Sequence, residues 1–173
     1  MGLQLIICME TDQKTKSDYV YIKSTIESFY HLDQANIKIS PVYMGGRGNY
    51  ASPKIKKRIE KLKKDYSRGS DKNRSVVIYC FDCDNYDKNP TDAHFLEKAR
   101  RYCRDLEYRY VWFCKDIEDV YLGRSIPDNQ KKKESETFKK RKKINSILIE
   151  SLKETTYASG KSNLCKILDE YLG

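Results

Sequence analysis

The stretch Leu3-Gln-Leu-Ile-Ile-Cys-Met9 runs directly into Glu10, and Ser75-Val-Val-Ile-Tyr-Cys-Phe81 runs directly into Asp82-Cys-Asp84. Each apolar run is short, rich in β-branched residues and bounded by polar sequence, which predicts two buried strands. Ligands of open α/β sheets bind at the carboxyl ends of the strands, where these acids stand. We therefore expect Glu10, Asp82 and Asp84 to share one rim and to suit a hard cation, Mg²⁺ or Mn²⁺. The alternative is that these acids cap the turns that follow the strands.

The sequence around these two stretches alternates between strand and helix patterns. Helical periodicity is found at 19–30, 53–66 and 91–106, and further strand patterns lie at 37–43 and 108–114. This order predicts an α/β fold of three layers, α/β/α, with a four-stranded parallel sheet. Pro41 cannot donate a hydrogen bond to an interior ladder, so its strand is expected at the edge of the sheet.

The last third of the chain differs in composition from the rest. Residues 131–143 carry eight basic side chains against Glu134 and Glu136, which predicts a solvated loop or an exposed helix. Apolar residues at 144–152 and 164–171 predict C-terminal helices that dock back on the sheet. We therefore expect an α/β domain over 1–122, and over 123–173 a basic loop with C-terminal helices packed on the same domain.

The charge balance favours a polyanionic partner, DNA or RNA. The chain has 34 Lys plus Arg against 25 Asp plus Glu, a formal net charge of +9. Arg47 belongs to the glycine-rich loop 45–48, for which a flexible turn is the favoured interpretation over a phosphate-binding loop. The candidate nucleic-acid contacts are Arg47, Lys54, Lys57, Lys131, Lys132, Lys139, Lys140 and Arg141.

Other protein classes lack their signals in this sequence. No apolar run reaches the roughly 18 residues that span a bilayer, and a signal peptide is not recognisable, so we expect a cytoplasmic protein without a membrane partner. Cys80 and Cys83 form a C-x-x-C, but no second ligand pair suggests zinc and the position is not a helix start. Packing is therefore favoured for these cysteines over redox or metal roles.

The acidic residues also carry a family resemblance. Glu10 on the first strand and Asp82-Cys-Asp84 on the third resemble the Toprim fold of topoisomerases, bacterial primases and OLD-family nucleases, and most closely its RloB-like branch. The first motif of that branch resembles Cys-Glu-Gly-x-x-Thr-Glu-x-x-Tyr, and here it reads Cys8-Met-Glu10-Thr-Asp-Gln-Lys-Thr15-Lys16-Ser-Asp-Tyr19. The glycine is missing, and Lys16 stands where a second Glu is usual.

The resemblance covers residues 3–122 and implies a sheet order of 2-1-3-4. It implies a magnesium-dependent nuclease that acts in phage or plasmid defence, alone or with a partner ATPase. Asp82 and Asp84 would hold the metal, and Glu10 would hold it through water or act as general acid or base. Glu118 would be an additional ligand or an orienting group. Lys115 is a candidate for stabilising a phosphoryl transition state, with a salt bridge to Asp116 or Asp119 as the alternative.

Two other functions fit the same residues. A non-catalytic module would use the fold and the basic surface to bind nucleic acid or a partner ATPase. A flavodoxin-like regulatory domain would use Asp82 or Asp84 as a phosphate acceptor. The sequence does not discriminate DNA from RNA.

Overall fold

The central sheet is built from the strand patterns of the sequence and one further short strand. The computed structural model describes residues 1–173. Its strands are β1 (Leu3–Met9), β2 (Ile37–Tyr43), β3 (Arg74–Asp82), β4 (Arg109–Cys114) and β5 (Lys161–Ser162), arranged in the order β2-β1-β3-β4-β5. The first four are parallel, which confirms the α/β class and their predicted order. The expected count of four is wrong, because β5 pairs antiparallel with β4.

Helices cover both faces of this sheet. They are α1 (Ser17–Phe29), α2 (Pro53–Ser67), α3 (Pro90–Asp105), α4 (Ile117–Leu122), α5 (Lys131–Lys140) and α6 (Leu164–Leu172). One apolar core joins β1 to α1, α4, α5 and α6, and a second joins the other face to α2 and α3. All seven residues of β1 are buried, as expected for a central parallel strand covered on both sides.

The helix starts bring polar side chains to the carboxyl edge of the sheet. Because α1 follows β1 and α3 follows β3, the first turns of both helices lie near the strand ends that precede them. Asn89 caps α3 by accepting a hydrogen bond from the Thr91 N–H at 2.9 Å, and Pro90 follows in the first turn. Side chains in these first turns, such as Asp18 and Asp92, therefore lie near the carboxyl edge of the sheet.

In the C-terminal segment, most of residues 131–143 is the helix α5, which is one of the two alternatives expected there. Phe138 anchors it: this ring is fully buried and meets Tyr21 edge to face with 4.9 Å between centroids. The single helix expected over 144–152 is instead two short 3-10 turns, 143–146 and 149–152. Leu148 between them is 73% exposed and extended, so the apolar residues there do not form one helical face.

None of the helices is both long enough and apolar enough to cross a membrane. All six cysteines are buried. The Cys83 sulfur atom is 2.6 Å from that of Cys114, and Cys80 is not its hydrogen-bond partner. The C-x-x-C therefore does not act as one paired unit in this fold.

Candidate active site at the carboxyl edge of the sheet

A polar cleft lies where β1 and β3 end. Its volume is about 390 Å³, and no apolar side chain lines it. Six acids and two cations stand among its lining residues, which are Glu10, Thr11, Asp12, Thr15, Asp18, Gly45, Gly46, Arg47, Asp82, Asp84, Asp128 and Lys131. We call it the acidic cleft. It contains all three acids that the strand patterns predicted for this rim.

Glu10 and Asp82 are neighbours because β1 and β3 are adjacent and parallel. The Glu10 carboxylate accepts a hydrogen bond from the Asp82 backbone N–H at 2.5 Å. The Asp82 carboxylate in turn accepts from the backbone N–H of Ile117, at the start of α4, at 3.0 Å. Both side chains are half-buried. Strand ends and one helix start thus hold these two carboxylates in place.

Asp84 lies beyond the end of β3 and has a different partner. Its φ is +49°, a left-handed conformation that Asp tolerates better than most residues. Arg47 donates to Asp84 at 3.1 Å and to Asp92 at 2.9 Å, and its guanidinium lies over the Phe95 ring, 4.5 Å from the centroid. Arg47 was predicted to contact nucleic acid. In this structure it bridges two carboxylates at the edge of the cleft.

Asp18 is a member of the site that the sequence interpretation missed. It lies in the first turn of α1, is 7% exposed, and accepts a hydrogen bond from the Thr11 N–H at 3.4 Å. The motif comparison had looked for a second acid at Lys16, which is exposed. The available signal was the helix start itself, because the first turn after a parallel strand returns to the carboxyl edge. The same signal applies to Asp92 in α3.

Glu118 lies behind the cleft in α4 and is almost without polar partners. It is 1% exposed, and neither of its carboxylate oxygens accepts a hydrogen bond. The Lys131 ammonium is 4.0 Å from Glu118 Oε1, within ion-pair range, and 3.2 Å from Asp128. Since an unpaired buried carboxylate is costly, Lys131 serves as its counterion. Lys131 is therefore directed to the acids, although it was predicted to contact nucleic acid with the other α5 cations.

Burial and mutual repulsion raise the pKa values of these carboxyl groups. Loss of hydration is the main cause for each: the pKa of Glu10 rises to about 8, that of Glu118 to about 7 and that of Asp18 to about 6. The pKa of Asp82 rises well above its usual range, first through burial and then through the charges of Glu10 and Asp18. Glu10 therefore retains a proton at neutral pH, and the acids of the cleft outnumber its cations by six to two.

A metal ion is chemically suited to this cluster, but the side chains do not form a coordination shell. No group of three His, Cys, Asp or Glu side chains is arranged to hold one ion. Glu10 accepts a hydrogen bond from a backbone N–H, and Asp84 accepts one from Arg47. The oxygens of these two carboxylates therefore point to different partners and not to one common centre. Carboxylate oxygens are ligands that suit Mg²⁺. The excess of acids over cations in the cleft also favours the binding of a cation.

The other predicted residues lie outside the cleft. Lys115 donates to the Asn85 side chain at 3.2 Å and forms no ion pair with Asp116 or Asp119. Its backbone N–H donates to the Asp119 carboxylate at 3.2 Å. The exposed cations that the sequence nominated for nucleic-acid contact are Lys54, Lys57, Lys132, Lys139, Lys140 and Arg141. None of these lines the acidic cleft.

Comparisons of the chain with models of protein families, with curated proteins and with solved structures found no match. The resemblance to Toprim proteins therefore remains a prediction from the motif residues. The fold and the acidic cleft define an α/β protein with a polar, negatively charged site at the carboxyl edge of its sheet.

Proposed function

We propose that this protein is a magnesium-dependent nuclease that hydrolyses nucleic-acid phosphodiesters in the acidic cleft. The observation that carries the proposal is the cluster of partly buried carboxylates with raised pKa values at the end of β1 and β3. The strand order reverses between these two strands, and ligands of α/β sheets bind at such a point. Clustered perturbed carboxylates in a polar cleft are typical of functional sites.

The proposed metal ligands are Asp82 and Asp84, with Glu10 as the third carboxylate. A bound Mg²⁺ would polarise a phosphoryl oxygen and lower the pKa of a bound water. Glu10, whose pKa is raised to about 8 by burial, retains a proton at neutral pH and is suited to general acid or base work there. Asp18 and Glu118 supply further negative charge that favours a cation.

The two cations of the cleft have positioning roles in this proposal. Arg47 binds Asp84 and Asp92 together, which fixes the loop 45–48 next to the end of β3. Lys131 holds α5 against the acids through Glu118 and Asp128. Both positive charges also reduce the repulsion that a phosphate would meet in a cleft lined by carboxylates.

The resemblance to RloB-like proteins extends the proposal to biological role. It supports cleavage of DNA or RNA during defence against phage or plasmids, in the cytoplasm, with or without a partner ATPase.

A cleavage assay tests the proposal. Labelled DNA and RNA are incubated with the protein in Mg²⁺, in Mn²⁺ and in EDTA, and Asp82→Ala and Asp84→Ala are compared with wild type. Cleavage is expected only with a divalent cation and is lost in both variants. Asp87→Asn is the matched control, because Asp87 is an exposed acid on the same loop that does not line the cleft. Undiminished cleavage by both alanine variants would overturn the proposal.

The non-catalytic alternative also has an observation in its favour. Arg47 forms an ion pair with Asp84, and no three acids are arranged to hold one metal ion. A module that only binds nucleic acid or a partner ATPase would bind equally well in EDTA and after loss of Asp82 and Asp84. No cleavage with any cation, together with such binding, would support this alternative.

A further inference from the structure

A second groove, far richer in positive charge, lies along the first part of β4, beside which no further strand lies because β5 pairs only with Phe113 and Cys114. Its volume is about 550 Å³. Four arginines line it, Arg100, Arg101 and Arg104 from α3 and Arg109 from β4, against the single acid Glu97. We call it the arginine groove. None of these arginines belongs to the basic stretches that the sequence singled out.

The floor of the groove is a rigid strand edge. The Asn163 side chain pairs with β4 as a neighbouring strand would: it accepts from the Trp112 N–H at 2.9 Å and donates to the Tyr110 carbonyl at 2.9 Å. Tyr110 also shares a hydrogen bond of 2.8 Å with Tyr157. The arginines of α3 therefore stand beside a surface whose backbone positions are fixed.

The arginines are spaced to act together. Arg100 and Arg104 are four residues apart on α3, and Arg101 and Arg104 are three apart, so all three share one side of the helix. Arg100 lies over the Tyr110 ring, 5.8 Å from the centroid, and forms no ion pair with an acid. A guanidinium held over an aromatic ring is positioned to present its N–H groups outward to a phosphate.

The acids near the groove do not neutralise it. Arg101 pairs with Glu97 at 3.3 Å, Arg104 with Asp105 at 3.6 Å, and Arg109 with Glu170. The side chains of Arg101 and Arg104 are more than 60% exposed. Exposed pairs of this kind contribute about 0–1 kcal/mol, so a phosphate can replace the acid as the partner of these guanidinium groups.

We propose that the arginine groove binds the phosphate backbone of a nucleic-acid strand. Tyr108 and Tyr110 are half-buried and Trp112 is buried, so these rings form walls and leave little surface on which bases could stack. Recognition through phosphates alone makes the binding insensitive to base sequence. The groove shares its ligand class with the proposed nuclease, but binding in it needs neither a metal ion nor cleavage.

Fluorescence anisotropy in EDTA tests the groove separately from the cleft. The probes are short labelled single strands of DNA and of RNA with the same mixed sequence. Arg100→Gln/Arg104→Gln is expected to bind both about tenfold more weakly than wild type, since two charge-assisted contacts are lost. The slope of log K against log salt should become shallower by about 1.4, at roughly 0.7 per phosphate contact on a single strand.

The matched control is Lys23→Gln/Lys72→Gln, which removes two positive charges from exposed positions outside the groove. This variant should retain the wild-type salt slope. Equal loss of affinity in both double variants would overturn the proposal, because it would assign binding to net charge. Circular dichroism verifies that both variants are folded.

Two further arms identify the ligand. Preference for one probe would assign the groove to DNA or to RNA, and equal binding would show that the shared backbone is recognised. Displacement of the probe by an acidic peptide but not by an unlabelled oligonucleotide would overturn the assignment to nucleic acid. Loss of cleavage in Asp82→Ala with unchanged anisotropy would leave this proposal intact, so the two proposals fail separately.

Discussion

The acidic cleft and the arginine groove are both polar surfaces of one small sheet, yet they differ in the sign and in the burial of their charge. The cleft brings six acids together with two cations. The groove brings four arginines together with one acid. The cleft also has Glu118 buried behind it, whereas the α3 arginines of the groove extend into solvent.

This difference determines which solution variable each site responds to. Burial removes water from around the carboxylates and raises their pKa values toward neutral pH. Their protonation, and with it their affinity for cations, therefore changes with pH in this range. Exposed guanidinium groups stay charged at every accessible pH, and their attraction to phosphates is screened by salt. We therefore expect pH and divalent cations to act on the cleft, and ionic strength to act on the groove.

The largest expected effect separates the two sites by mutation. Asp82→Ala should lower cleavage at least about a thousandfold, because a metal ion supplies several kcal/mol of transition-state stabilisation. The same variant should change the affinity for single-stranded DNA in EDTA by less than about threefold. Arg100→Gln/Arg104→Gln should weaken that affinity about tenfold and lower cleavage by no more than the same factor. Cleavage rates and anisotropy on the same preparations measure both. Parallel loss of both properties in each variant would contradict the separation.

The second prediction concerns pH and the stability of the metal-free protein. The pKa values of Glu10, Glu118 and Asp18 are raised in the folded state, so the folded protein binds more protons than the unfolded chain above pH 4 to 5. The free energy of unfolding should therefore fall by several kcal/mol as pH rises from 5 to 8. Urea unfolding in EDTA measures this.

Two variants sharpen that measurement. Glu10→Gln should flatten the decline, because the neutral amide has no proton to lose. Asp87→Asn should leave the decline unchanged. A stability that rises between pH 5 and 8 in the wild type would show that the cluster does not carry these raised pKa values.

The third prediction is that Mg²⁺ reverses this loss of stability. At pH 8 a cation bound only by the folded state should stabilise the wild type by about 2.7 kcal/mol at a concentration one hundred times its Kd. Asp82→Asn/Asp84→Asn should lose most of this response, and Arg100→Gln/Arg104→Gln should keep it. Thermal unfolding with and without Mg²⁺ measures the effect. An equal response in all three proteins would place the cation elsewhere.

The smallest expected effect concerns the one buried ion pair that connects α5 to the cleft. Lys131→Met leaves Glu118 without its counterion and should lower the free energy of unfolding at pH 8 by about 1 to 3 kcal/mol. The loss should shrink at pH 5, where Glu118 is protonated in either protein. Lys132→Met is the control, since Lys132 is an exposed neighbour on the same helix. Combining Lys131→Met with Glu118→Gln should restore most of the loss.

The sequence predicted the parts of the site that depend on strand order. Glu10 and Asp82 follow apolar runs that predict buried strands. The strand order that the family resemblance implies makes these two strands neighbours, and adjacent parallel strands place their ends together. Asp18 was missed because the motif comparison counted positions along the chain, while its contact with the site depends on where the first turn of α1 lies in space. Glu118 was predicted as a ligand, and the structure places it behind the cleft opposite Lys131.

The amino-acid sequence by itself determined the α/β class, the parallel sense of β1 to β4 and the acidic ends of two strands, because short-range periodicity and the acids that follow it suffice for these. The order of the four strands was implied by the family resemblance. Only the tertiary structure decided that Arg47 and Lys131 form ion pairs with carboxylates and that β5 pairs with the end of β4. It also decided that α3 and β4 together form the arginine groove. The physical reason is that ion pairs, buried charges and grooves depend on side chains far apart in sequence, whose distances are set by packing.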